Sequence, residues 1–144
     1  MLLCVDHSPN ALKTAQYVVA NFAWRDNMAI TILGFIREPS GDVFDNEEEH
    51  EKARSDNEAI IAGVVEDARR TLLDGEFPED SVTVKMIRLR RKSIAAGILE
   101  EQRRAPCHTV VVAGSKMSKT EEFILGNVAV KLVRESNCPV MTVY

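Results

Sequence analysis

Two glycines twelve residues apart, Gly114 and Gly126, frame a polar segment that leaves the apolar run Val110-Val111-Val112-Ala113 and enters a pattern of helical spacing. A glycine directly after a strand lets the backbone turn tightly and come close to a ligand, and a second at a helix start exposes amide N–H groups. Those donors, with the positive end of the helix dipole, favour an anion, and phosphate is the natural guest. The same glycines also satisfy ordinary turn chemistry, so on these residues alone a phosphate cradle and a plain turn both stay open. A second polar cluster, Asp6-His7-Ser8-Pro9, follows the apolar run Leu2–Val5. Asp6 offers a carboxylate acceptor either to a ligand or to the turn after it. His7 beside Ser8 invites comparison with a base and nucleophile, but adjacent residues rarely face one another and no third orienting group is evident. His7 therefore reads as a surface or pocket-lining side chain. Cys107-His108 offers two neighbouring ligands where zinc takes three or four.

The elements that must position these residues follow from the apolar pattern, which switches between short β-like runs and longer stretches of helical period. Leu2–Val5 reads as a strand covered on both faces, and therefore central. Ser8 and Pro9 supply an N-cap and a first-turn proline for a helix carrying Leu12, Ala15, Val18, Val19 and Phe22, ending near Trp24. Ala29–Ile36 reads as the second strand and 37–45, with Pro39, Ser40 and Gly41, as a surface loop. Asn46 caps a second helix with Glu49 at its third position. The acidic run from Glu47 to Glu49 lies at the positive dipole end. Its apolar stripe is Ala53, Ile60, Ile61, Val64, Val65, Ala68 and Leu72, and Gly75 is the expected C-terminal glycine. Val82–Leu89 is the third strand. Ser93 caps a third helix that Pro106 stops, with Ile94, Ala95, Ile98 and Leu99 on its buried face. Thr109–Ala113 is the fourth strand. Asn127 caps a fourth helix with Val128, Ala129, Leu132 and Val133, and Pro139 opens the last strand. The order βαβαβαβαβ predicts an α/β domain, and in such sheets ligands bind beyond the carboxyl ends of the strands where the winding reverses.

The 144 residues fit one domain over 1–144, with 45% apolar and 28% charged residues and no long biased tract. A net charge of −4 argues against a general nucleic-acid binder, which draws its affinity from excess Lys and Arg. Arg88, Arg90, Arg91 and Lys92 form a local basic group, which reads as an exposed edge strand and its loop. Cys4, Cys107 and Cys138 are odd in number and widely spaced, so neither a zinc site nor a disulfide framework is expected, in keeping with a cytoplasmic protein. No apolar run approaches the ~20 residues that span a bilayer, so neither a membrane anchor nor a signal peptide is expected.

The segments LLCVDHSPNALKTA and VVVAGSKMSKTEEFILGNVAVKLVRESNCPVMTVY resemble the universal stress protein family over essentially the whole chain. ATP-binding members carry G-x2-G-x9-G-[S/T] after the fourth strand and an aspartate after the first. Asp6, Gly114 and Gly126 match. The central glycine is missing, Met117 stands at that position, the outer glycines are twelve rather than thirteen apart, and Asn127 replaces Ser or Thr. The resemblance implies a Rossmann-like open five-stranded parallel sheet in the order 3-2-1-4-5, with two helices on each face. It also implies a weak site for ATP or ADP at Asp6, Gly114, Ser115, Gly126, Asn127 and Val128, with Ile36 meeting the adenine through its backbone and magnesium carried by the nucleotide. A homodimer through the C-terminal edge strand is expected as well, because that strand leaves backbone groups unpaired.

No catalytic residue is assigned, since no carboxylate, lysine or arginine set could position a water, and turnover is expected to be at most that of a slow ATPase. The alternative is a nucleotide-independent dimeric signalling or interaction module with a degenerate loop. A receiver domain needs an acceptor aspartate after the third strand, where this chain has Arg88-Leu89-Arg90. A P-loop lacks its G-x-x-x-x-G-K-[ST], and a dinucleotide fold its G-x-G-x-x-G.

Overall fold

The computed structural model describes residues 1–8, 10–37, 46–90, 93–105, 107–114 and 128–144. Five parallel strands form one sheet: β1 (Leu2–Val5), β2 (Ile30–Arg37), β3 (Val82–Leu89), β4 (Val110–Ala113) and β5 (Val140–Val143). Their order is β3-β2-β1-β4-β5. Residue Leu2 pairs with Thr31 on one side and Val110 on the other, which fixes β1 at the centre. All four β1 residues are buried, as a strand covered on both faces requires.

Alternation along the strands sorts the core into two layers. Leu3, Val5, Ile32, Ile36 and Val111 face α1 (Ala11–Phe22) and α2 (Glu47–Asp74), where Ala15, Val18, Ile61, Val65 and Leu72 meet them. Leu2, Cys4, Leu33, Phe35 and Val112 face α3 (Ile94–Arg104) and α4 (Val128–Glu135), against Ile98, Leu99 and Leu132. Each sheet face thus carries two helices, as expected. Ile60 departs from the predicted stripe: it is 55% exposed, turned outward on α2 while its neighbour Ile61 packs inward. Edge strand β3 carries Arg88, whose guanidinium binds both Glu58 oxygens at 2.8 and 3.0 Å, so that arginine braces α2. Positions 91 and 92 of the basic group lie outside the described residues.

Two helix ends differ in detail from expectation. Asn46 caps α2 as predicted, accepting from Glu49 N at 2.8 Å, and Ser93 Oγ accepts from Ala96 N at 3.2 Å on α3. The α2 C-terminus, however, closes through Glu76, not Gly75. Glu76 takes φ 68° and donates to Leu73 O, and Phe77 N donates to Leu72 O at 3.2 Å, which is a Schellman closure one residue later. Gly75 has φ −85° and serves close approach instead, since a Cβ there would stand 2.5 Å from both Val19 methyl carbons. Helix α1 begins at Ala11 with Asn10 as its cap residue, not Ser8. Ser8 takes part through its carbonyl, which accepts from Ala11 N at 3.0 Å.

Candidate functional site

The loop after β1 and the end of β4 meet where the strand order reverses, and they are tied to one another. Asp6, the first residue beyond β1, folds its loop back by accepting Ser8 N on Oδ1 at 2.9 Å. Its other carboxylate oxygen has no hydrogen-bond partner among the described residues. Asn10 makes no side-chain capping bond; its Nδ2 reaches across the switch point and donates to Gly114 O at 3.1 Å. That bond clamps the start of α1 to the end of β4.

A cavity of about 120 Å³ opens beside this tie, at the carboxyl ends of β1 and β4. Its floor is Cys4 and Val5 of β1 with Val112 and Ala113 of β4, and its walls are Phe35 of β2, Ile94 and Ile98 of α3 and the first residues of α4. Asp6, Ser8 and Gly114 supply its polar rim. Ser8 Oγ is enclosed and has no hydrogen-bond partner among the described residues. A buried hydroxyl without a partner costs on the order of 1–3 kcal/mol, so a guest that met it would recover that amount. Burial pushes the Cys4 thiol far up, with Cys107 and Asp6 adding to it, so Cys4 is an uncharged wall and not a nucleophile.

Of the residues the sequence pointed to, Asp6, Gly114 and Val128 line this one cavity. Ser115, Gly126 and Asn127 lie outside the described residues. The Ile36 side chain is 1% exposed on the α1–α2 face of the sheet, whereas Phe35 beside it lines the cavity. His7 is exposed on the surface. Sequence reasoning missed Phe35, Ile94, Ile98, Ala129 and Tyr144; only the alternation of β2 and the stripe of α3 point to the first three. Tyr144 is the notable addition. Gly114 N donates to Val143 O at 2.6 Å, and a Cβ on Gly114 would stand 2.7 Å from the Tyr144 ring. The absent side chain of Gly114 thus admits an aromatic ring at the mouth of the cavity.

These features define an open parallel α/β protein with a ring-sized cleft at its topological switch point. The universal stress protein family matches residues 1–144, and the chain belongs to that family. No curated protein matches it. Among solved structures it is similar to the universal stress protein UspA from Lactobacillus plantarum, at 13% identity and a TM-score of 0.74, covering 99% of this chain and 95% of that one. It is similar to a universal stress protein in complex with cAMP, at 16% identity and TM-score 0.66, covering 100% and 97%. A universal stress protein family protein from Arabidopsis thaliana with AMP bound gives 18% identity and TM-score 0.64, covering 99% and 88%. At these identities the likeness is one of fold.

Proposed function

We propose that the chain binds an adenine nucleotide, ATP or ADP, weakly in the cleft beyond β1 and β4, and acts as a regulatory stress-response module, with turnover at most that of a slow ATPase. The observation that carries this reading is the cleft itself: apolar walls, unused polar atoms on Asp6 and Ser8, and a position at the switch point. The cavity, about 120 Å³, is smaller than the roughly 150 Å³ that holds a benzene ring, so a two-ring adenine would fill it and extend into its open mouth, with ribose and phosphates outside. The phosphates would then meet Gly114, Ser115, Gly126, Asn127 and Val128 near the positive end of the α4 dipole, bringing magnesium with them. The cAMP and AMP complexes of similar folds support an adenine guest. Weakness follows from the shortened loop: a lost hydrogen bond to a charged group costs roughly 1.5–3 kcal/mol, or ten- to 150-fold in affinity.

Tyr144 favours a second reading, because its ring already lies against Gly114 where a ligand would pass. In that reading the cleft is filled and the chain is a nucleotide-independent dimeric interaction module. Both readings share a cytoplasmic homodimer through the β5 edge, whose strand residues are all partly exposed and are followed by Tyr144, 62% exposed. Calorimetric titration with ATP and ADP separates them. Saturable binding at micromolar concentrations is expected; no heat up to millimolar nucleotide would leave the second reading standing.

A further inference from the structure

Cys107 and Cys138 stand 31 positions apart in the chain, and neither their spacing nor the cysteine count marks them as a pair. The fold unites them because each leads into one of two neighbouring strands: Cys107 precedes β4, Cys138 precedes β5, and Val110 pairs with Val140. Their Sγ atoms are 2.9 Å apart, one thiol donating to the other. Both are half-buried free thiols, at the end of the sheet opposite the cleft.

The surroundings hold this arrangement. Gln102 of α3 is 8% exposed, and in the orientation that satisfies both ends of its amide it accepts from Asn137 N and Cys138 N, each at 3.1 Å. Val110 N donates to Pro139 O at 2.9 Å, locking the two strand entries side by side. Cys107 also lines an open groove with Met1, Ala105, His108 and Thr109, which gives a small reagent a path to this residue.

We propose that Cys107 and Cys138 form a thiol–disulfide exchange site that takes a low-molecular-weight disulfide of the glutathione class and converts it into an internal Cys107–Cys138 bond. Cys107, its proton lost to solvent, attacks one sulfur of the incoming disulfide; that S–S bond breaks and one thiolate leaves. Deprotonated Cys138 then attacks Cys107 Sγ of the mixed disulfide, the internal bond forms and the second thiolate leaves. The protein thiols lose two electrons and two protons, and the incoming disulfide gains them as two thiols. Burial, with the Cys138 hydrogen bond adding, pushes the Cys107 thiol up to about 11, so the first step is slow at neutral pH and answers sustained oxidation. The bond would close the part of the chain that contains α4, the helix whose first residues reach the cleft.

The test is to incubate reduced full-length protein with oxidised glutathione at about pH 8, where more thiolate forms, then alkylate it under denaturing conditions and weigh it intact. The expected product has lost two hydrogens, carries one alkylated thiol at Cys4 and yields a cross-linked peptide joining Cys107 to Cys138. Cys138→Ser is expected to stop at a glutathione adduct on Cys107. The oxidised form should melt on the order of 10 °C above the reduced form, the effect of closing a loop of this length. Three alkylated thiols after prolonged incubation, a persistent wild-type glutathione adduct, disulfide-linked dimers in place of the internal bond, or an oxidised form that melts lower would each overturn the proposal.

Discussion

Asp6 is the residue at which turn chemistry and ligand chemistry can be separated. Its Oδ1 is used by Ser8 N at 2.9 Å, while its other oxygen has no partner among the described residues, and the residue lines the cleft. Replacing Asp6 with Asn keeps a carbonyl oxygen for Ser8 N but turns the free acceptor into a donor. Stability should therefore change little, by less than about 1 kcal/mol, since only the charge-assisted part of one hydrogen bond is lost. Affinity for ATP or ADP should fall by roughly 1.5–3 kcal/mol, or ten- to 150-fold, if that oxygen accepts from the adenine or ribose. Asp6→Ala should lose the same affinity and in addition about 0.5–1.5 kcal/mol of stability from the broken turn. The assay is urea denaturation for stability and calorimetry for affinity on all three proteins. Unchanged affinity in Asp6→Asn would refute the reasoning and leave Asp6 as a turn residue alone.

Three further outcomes follow from other parts of the molecule. Inserting a glycine between Lys116 and Met117 restores the family's loop spacing and should strengthen ATP binding by about ten- to 150-fold, read by the same titration; no gain would show that the missing glycine is not the weakness. Glu76→Gly should raise stability by about 0.5–1 kcal/mol in denaturant, because it relieves a left-handed non-glycine residue at the α2 Schellman closure; a loss would mean that the Glu76 side chain itself holds the turn. Cys107 is a thiol raised to about 11 from its usual value near 9, so between those pH values the unfolded chain sheds its proton while the folded chain keeps it. Stability should thus fall as pH rises from about 9 to about 11, and melting curves of Cys107→Ser should show a smaller fall; an equal fall would assign the effect to other groups, Cys4 among them.

Much of the architecture was legible in the sequence because the apolar runs are unambiguous in length: four to eight residues for each strand, against a 28-residue helical stripe for α2. The Asn46 and Ser93 caps were also readable, as each side chain bonds the amide three residues ahead. What misled was local punctuation with more than one physical use. Gly75 looked like a left-handed terminus, yet Val19 crowds it, and the left-handed turn passed to Glu76. Ser8-Pro9 looked like a helix start, yet Asp6 takes the Ser8 amide and Asn10 is spent on Gly114. In the cleft, Asp6, Gly114 and Val128 were legible from the family motif, whereas Tyr144 was not, because its place depends on β5 lying beside β4. The same neighbour relation hides the Cys107–Cys138 pair from any reading of sequence spacing.

The most direct test of the nucleotide reading is to purify the chain without added nucleotide, denature it and identify the released small molecules by mass spectrometry. The account predicts ATP or ADP in the released fraction of the wild-type protein and its loss from Asp6→Asn. A wild-type protein that releases no adenine nucleotide, and takes up none when ATP is supplied at millimolar concentration, would contradict it.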